Sequence, residues 1–291
     1  MKLLTLLGIA LALACPAAAQ NADDYRGGWR TDGGDPHVYE FSIRGDRVRG
    51  VYCTRCSDAT TLAFLDGTFG ADGITFAVTH VRSDGSTAYQ ERAVARLSGR
   101  TLTVSGTSDR QGGGPFERRL IKDPRGPDPL TTVPVSMLPA GPPVQPGPRR
   151  GGGPELFQGT TWEQPGPWKQ LTIDAVVGVW LGFRVGLNKQ YFIIRRFGDG
   201  LRGMACGQCD NPYTMAALDD FVISGDTLTF YTLHEDWGPG ALPFRNKFTA
   251  HITQNEMRIA TQQDNVPEPA EPRFGSSLVG PIAIEATAGN N

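Results

Sequence analysis

Two pairs of cysteines, each spaced C-x-x-C, are the residues of this chain whose type and spacing point most directly to chemistry. The first pair, Cys53 and Cys56, lies in the segment GVYCTRC, and the second, Cys206 and Cys209, lies in GMACGQC. Each pair follows an extended segment and enters a turn. Two thiols at this spacing can close a disulfide, supply half of a tetrahedral zinc site, or act as a redox couple.

These three alternatives make different demands on the rest of the chain. Disulfides suit an oxidising compartment, and a bridge across such a short loop contributes about 2 kcal/mol. Zinc needs all four thiolates in one centre, so the two pairs would have to face each other. A redox pair needs a helix N-terminus to lower a thiol pKa, and no helix is predicted after either pair. We favour structural disulfides and no cofactor, with zinc as the alternative.

The segment HEDWG, residues 234–238, is the second candidate for chemistry. A histidine at the rim of a β-barrel, beside carboxylates, can act as a general acid or base, and a tryptophan there can stack on a sugar or another flat ligand. The alternative is structural, since a rim histidine and an acidic turn often have no other role. The candidate catalytic residues are His234, Glu235 and Asp236. The candidate ligand-binding residues are Asp210, Asn211, Tyr213, Trp237 and His80, the last holding in the first copy the place of His234.

These residues sit in two copies of one pattern. Trp29 corresponds to Trp180, the two cysteine pairs correspond to each other, and DGITFAVTH (72–80) corresponds to GDTLTFYTLH (225–234), all at a nearly constant offset. Chance does not readily produce such an ordered series. The sequence therefore predicts an internal duplication.

Each copy reads as short alternating segments separated by glycine and aspartate, which is typical of antiparallel strands joined by tight turns. We expect an all-β fold of two tandem small antiparallel barrels or sandwiches, each with about seven strands, joined by a Pro/Gly-rich linker. The predicted organisation comprises a signal peptide (1–19), repeat 1 (24–122), the linker (123–172), repeat 2 (173–265) and a C-terminal tail that adds one strand (266–291). Because the linker contains apolar residues and tryptophans, parts of it are expected to lie along the barrels.

The opening of each copy resembles that of the calycins, the lipocalin- and avidin-type β-barrels. Gly27-Gly-Trp29 and Gly178-Val-Trp180 match a G-x-W motif, and an extended strand and a G-x-L/V-x-G segment follow in each copy. The resemblance covers residues 27–50 and 178–203. It implies a barrel with the tryptophan plugging one end and a small molecule held at a barrel mouth or between the two copies.

The N-terminal residues predict export. A basic Met1-Lys2, an apolar run from Leu3 to Ala14 and an A-x-A pattern at 17–19 are typical of a cleaved signal peptide, and the apolar run is too short to cross a bilayer. Lipoprotein tethering at Cys15 is the minor alternative. We therefore expect a periplasmic or secreted protein without a transmembrane segment.

Charge and missing motifs exclude several function classes. The chain has 28 Lys and Arg against 30 Asp and Glu, so it lacks the basic excess of proteins that bind nucleic acid. It also lacks the G-x-S-x-G, H-E-x-x-H and Walker motifs, and the GDG segment at 198–200 is interpreted as a turn rather than as part of a Rossmann fingerprint, because no helix is predicted after it. The favoured interpretation is an exported protein that binds a small, partly apolar molecule. The alternatives are a periplasmic lyase, isomerase or hydrolase acting on a carbohydrate or related substrate through His234, and a structural protein of the cell envelope.

Overall fold

The computed structural model describes residues 21–34, 36–122, 168–183, 189–207, 209, 211–232, 245–253, 255–264 and 274–284. They form two closed eight-stranded antiparallel barrels in tandem, which confirms the predicted all-β architecture. Each strand pairs with the next one along the chain, and the last strand of each barrel pairs with the first. In the described part of the chain, none of the helices is long and apolar enough to span a bilayer.

The strands follow one another in an up-and-down order. Barrel 1 contains β1 (Gly27–Thr31), β2 (Val38–Arg44), β3 (Arg47–Cys53), β4 (Ala63–Gly70), β5 (Gly73–Val81), β6 (Thr87–Ser98), β7 (Thr101–Ser108) and β8 (Pro115–Lys122). Barrel 2 contains β9 (Gly178–Phe183), β10 (Lys189–Phe197), β11 (Gly200–Cys206), β12 (Met215–Ser224), β13 (Thr227–Thr232), β14 (Asn246–Ile252), β15 (Glu256–Gln263) and β16 (Phe274–Ile282). The predicted strand of the C-terminal tail is β16, and it closes barrel 2.

One end of each barrel is closed by a short helix and a buried tryptophan. Helix α1 (Ala22–Tyr25) precedes β1, and α2 (Ile173–Val176) precedes β9. The indole N–H of Trp29 donates to the Tyr25 carbonyl at 2.8 Å, and that of Trp180 donates to the Val176 carbonyl at 2.9 Å. Both tryptophans are buried, as the plugging role predicted for them requires.

Three apolar clusters within the described ranges hold the fold together. Two of them fill the barrel interiors, because inward-facing residues alternate with outward-facing ones along every strand. The third lies between the barrels and contains both cysteine pairs together with apolar residues from β2, β3 and β4 and from β9, β10, β11 and β12. Burial of this shared cluster makes the two barrels a single packed unit.

The corner that follows each cysteine pair contributes to the contact between the barrels. A 3-10 turn, η1 (Ala59–Thr61), follows the first pair, and η2 (Pro212–Thr214) follows the second. Turn η2 packs against β1 of barrel 1, where a Cβ on Gly28 would lie 2.1 Å from the Cβ of Pro212. Only glycine therefore fits at position 28.

Charged residues at equivalent positions of the two copies bridge the barrels reciprocally. Arg49 of β3 pairs with Asp219 of β12, while Arg202 of β11 makes a two-pronged hydrogen bond to Asp66 of β4 at 2.6 and 2.7 Å. Both arginines occupy the same place in their copy, and so do both aspartates. The duplicated sequence thus supplies a contact that is close to twofold symmetric.

A buried arginine adds a contact that has no counterpart in the other copy. Arg195 of β10 donates hydrogen bonds to the carbonyls of Thr60, Leu62 and Val81 at 3.2, 2.8 and 3.0 Å. Burial lowers its pKa from the ordinary value. These three carbonyls belong to the first corner and to the end of β5, so barrel 2 holds that part of barrel 1 through main-chain acceptors.

Candidate functional site

The end of barrel 1 opposite α1 gathers a polar and aromatic set that we call the mouth cluster. Strands β3, β5 and β7 end there, and β2, β4, β6 and β8 begin there, because neighbouring strands run antiparallel. Side chains at these strand ends that face the barrel axis converge on one space. The mouth cluster comprises His37, Tyr39, Tyr52, His80, Tyr89, Glu91, Phe116 and Arg118.

An ion pair between Glu91 and Arg118 lies at the centre of the mouth cluster. The guanidinium donates to the two carboxylate oxygens at 2.7 and 3.0 Å and also to the Tyr39 hydroxyl. The two charged side chains are only 7% and 13% exposed, respectively. Both face inward. Glu91 lies two residues before the core residue Ala93 on β6, and Arg118 lies two residues before the core residue Leu120 on β8, so each shares the inward face of its strand.

Aromatic rings surround this ion pair. The guanidinium carbon of Arg118 lies 4.0 Å from the centroid of Phe116 and 5.6 Å from that of Tyr52, within the range of cation–π contacts. The Tyr52 hydroxyl is hydrogen-bonded to Nδ1 of His37 at 2.6 Å. The ion pair is therefore screened from water by rings that also offer hydroxyl groups.

His80 brings a buried polar atom with unused hydrogen-bonding capacity to the mouth cluster. Its ring stacks on Tyr89 with centroids 3.9 Å apart and meets Tyr52 edge-on at 5.4 Å. Its Nε2 atom is buried, and no described residue offers it a hydrogen-bond partner. A buried polar atom left in this way costs about 1–3 kcal/mol, which a ligand group bonded to it would recover.

Burial fixes the charge states of the mouth cluster near neutral pH. It lowers the pKa of His80 to about 4, against a smaller raising effect of Glu91, so the imidazole is neutral. Burial also raises the pKa of Tyr39 and of Tyr52 well above the ordinary value, so both phenols keep their protons. Burial lowers the pKa of Arg118, but the hydrogen bonds to Glu91, together with the electrostatic effects of Tyr39, Tyr52 and Glu91, outweigh it, so the pKa of Arg118 is raised. The cluster is suited to stacking and hydrogen bonding.

The corresponding region of barrel 2 has a different composition. Strand register aligns Tyr39 with Phe192, Tyr52 with Ala205, Glu91 with Asn246, and Arg118 with Ser276. The interior there is filled by aromatic rings: Phe230 stacks on Phe248 at 4.9 Å and on Phe221 at 5.0 Å. The same barrel frame therefore closes without a buried ion pair at these positions.

The candidate residues taken from HEDWG lie outside the described residues. These are His234, Glu235, Asp236 and Trp237. Asp210, which follows the second cysteine pair, also lies outside the described residues, and the roles assigned to all five stay predictions.

The described candidates near the second cysteine pair lie at the contact between the barrels. Asn211 is fully buried, and its side-chain oxygen accepts from the Tyr213 amide at 3.1 Å, so it begins η2. Tyr213 lies within η2, which packs on β1 of barrel 1. Both residues are therefore separate from the mouth cluster, and a ligand role for them stays a prediction. His80 is the candidate that the structure brings into the mouth cluster.

Both cysteine pairs are closed as disulfides within their own copy. Cys53 is bonded to Cys56 and Cys206 to Cys209, with Cα atoms 5.1 and 5.0 Å apart. The favoured alternative for these residues is thus confirmed. Each sulfur is bonded to the other sulfur of its own pair. The zinc alternative needs four thiolates, from Cys53, Cys56, Cys206 and Cys209, and sulfurs in disulfides are not thiolates.

A shallow depression of about 490 Å³ on the outer face of barrel 1 is a separate feature. It crosses strands β5, β6 and β7 and opens widely to solvent. Its lining includes Thr75, Ala77, Arg92, Val94, Ser105 and Thr107. Ligand sites are usually concave and enclose a few convergent polar groups. We assign more weight to the mouth cluster, because its polar groups converge and are buried.

Comparisons of the chain with protein-family models, with curated proteins and with solved structures found no match.

Proposed function

We propose that this protein is an exported small-molecule binding protein whose ligand occupies the mouth of barrel 1. The observation that carries the proposal is the buried polar set of the mouth cluster, above all Nε2 of His80, which has no hydrogen-bond partner within the part of the chain that the structure describes. Binding through this set requires stacking and hydrogen bonds, and it needs no catalytic group. The ligand is small and partly apolar, because rings line most of the mouth.

The internal duplication supports the proposal by providing a control. Burying an ion pair in an apolar interior gives little net stability and often costs it. Barrel 2 has the same frame with Phe192, Asn246 and Ser276 at the corresponding positions. The fold alone therefore does not account for the Glu91–Arg118 pair, and buried ionisable groups with shifted pKa values are common at functional sites.

Export rests on the sequence and is compatible with the disulfides. A signal-like segment ends at residue 19, and both cysteine pairs are oxidised, a state typical of proteins outside the cytosol. Expression of the full chain with its own leader tests this point. We expect mature protein beginning at Gln20 in the exported fraction; full-length chain retained in the cytosol would refute it.

Ligand binding is tested by native mass spectrometry of the full chain, purified without denaturation. We expect a co-purified small molecule on the wild type and its loss from a His80→Ala variant that keeps the circular dichroism spectrum of the wild type. The matched control is His251→Ala, because His251 is also half-buried and stacked, on Trp168 at 4.9 Å, but lies on barrel 2. Equal retention by both variants would contradict a site at the mouth of barrel 1. A bound molecule that is chemically altered during incubation would favour the enzyme alternative.

A further inference from the structure

The hydrogen bonds of Arg118 constrain what the ligand is. A guanidinium has five N–H donors in a rigid planar fork. The contacts to Glu91 and Tyr39 use three of them. Nη1 uses both of its protons, one for Tyr39 and one for Glu91, while Nη2 uses one for Glu91. Among the described residues no other acceptor bonds this guanidinium, so two donors remain, on Nε and on Nη2.

These two donors are adjacent. The Glu91 carboxylate occupies the edge between Nη1 and Nη2, so the remaining protons project from the neighbouring edge, where Nε and Nη2 lie side by side. Two parallel N–H groups on one edge match the two oxygens of a carboxylate. Glu91 fixes the orientation of this edge, which makes it a positioning residue.

The walls of the mouth favour a flat molecule. His80 and Tyr89 are stacked nearly parallel, with an interplanar angle of 14°, and Phe116 covers Arg118 from another side. The Arg118 side chain keeps 13% of its surface exposed. A flat ring beside these rings would gain stacking and exclude water from the hydrogen bonds to Arg118.

We infer that the ligand is a planar aromatic molecule carrying a carboxylate, which binds the free edge of Arg118 with its ring against His80, Tyr89 and Phe116. This inference rests on the proposed function and specifies its ligand class. Glu91 contributes by holding the guanidinium in place. His80 contributes the polar atom that meets a further hydrogen-bonding group of the ligand.

The test uses three probes on the full chain, followed by isothermal titration calorimetry. 2-Naphthoate has both the ring and the charge, 2-naphthamide keeps the ring without the charge, and cyclohexanecarboxylate keeps the charge without the flat ring. We expect 2-naphthoate to bind at least tenfold more tightly than either of the other two probes. In Arg118→Met we expect the preference for naphthoate over naphthamide to fall close to onefold. Arg119→Met is the matched control, since Arg119 is the next residue of β8, is exposed, and faces outward; it should keep the preference.

A second variant, Arg118→Lys, keeps the test valid if Arg118→Met does not fold. Arg118→Lys keeps the positive charge but presents it as a point charge without a flat two-donor edge, so we expect about a tenfold weaker naphthoate affinity. A naphthamide affinity equal to that of naphthoate, or an unchanged preference in Arg118→Lys, would overturn the inference. So would an absence of probe binding by a protein that does carry a co-purified molecule, and the proposed function would then survive. An absence of both probe binding and any co-purified molecule would overturn the two together.

Discussion

Barrel 1 places Tyr39, Glu91 and Arg118 where barrel 2 places Phe192, Asn246 and Ser276. Both barrels keep the closing helix, the buried tryptophan and the disulfide at the same corner. The shared features lie at the closed end and at the contact between the barrels, where Arg195 is the exception, and the differences at Tyr39, Glu91 and Arg118 lie at the mouth of barrel 1. The shared barrel architecture therefore sets the strand order and the packing, whereas the residues at the mouth can differ between the two copies without changing the fold.

The largest expected effect comes from removing one partner of the buried ion pair. Glu91→Leu leaves the Arg118 charge buried without compensation, so we expect a loss of about 3–5 kcal/mol in the free energy of unfolding. The double variant Glu91→Leu/Arg118→Met removes both charges, so that neither position is ionisable, as at Asn246 and Ser276 of barrel 2, and it should lose only about 1 kcal/mol or less. Urea denaturation measures both values.

Asn246→Leu at the corresponding position of barrel 2 is the control for this pair of variants, and it should change stability by about 1 kcal/mol at most. If the double variant proved as unstable as Glu91→Leu, barrel 1 would need the ion pair for its own stability. The contrast between the two barrels would then carry no functional meaning.

An intermediate effect is expected at the reciprocal bridges between the barrels. The Asp219 side chain is 10% exposed and that of Asp66 is 46% exposed, although the two residues are equivalent in the repeat. We expect Asp219→Asn to lower the free energy of unfolding by about 2 kcal/mol, because it removes the charge that Arg49 faces. Asp66→Asn should cost less than about 1 kcal/mol, since solvent screens its pair with Arg202. Equal losses in urea denaturation would show that the contact is symmetric in energy as well as in position.

The smallest expected effect concerns pH. The pKa of His80 is about 4 in the folded protein against 6.5 for a free histidine, so the unfolded chain binds more protons between these values. Stability should therefore fall as pH drops from 6.5 to about 4, and His80 should account for about 1 kcal/mol of that fall because it is only half-buried. Denaturation midpoints across this window should decline less steeply in His80→Gln than in the wild type. Identical slopes would contradict the burial of a neutral imidazole at the mouth.

The sequence predicted the two-unit β architecture well, because both copies keep the residues that mark strands and corners. The corresponding tryptophans, the cysteine pairs and the alternating segments each mark a strand or a corner, and together they indicated two like β units. The count of about seven strands per copy fell one short of the eight observed. Strand β8 is hard to detect because Arg118 lies on its inward face and breaks the apolar alternation.

The mouth cluster was only partly accessible from sequence. Alternation placed His80 at a strand exit on the inward side, and the structure brings it into the cluster. Glu91 and Arg118 were missed because a charged residue in a strand is normally read as solvent-facing, and only the register of β6, β7 and β8 brings the two together. The available signal was the position of each charge on the same side of its strand as buried apolar residues, Ala93 and Leu120.

The carbonyl contacts of Arg195 give barrel 2 a mechanical role. Val81, whose carbonyl Arg195 holds, directly follows His80 at the end of β5, and the other two acceptors belong to the corner next to Tyr52. Separating the barrels would leave the Arg195 guanidinium and three main-chain oxygens without their hydrogen-bond partners. On heating, the two halves should therefore unfold in one cooperative transition. Barrel 2 thus supports the wall of the mouth, which would reduce the conformational entropy lost in the proposed binding of a ligand.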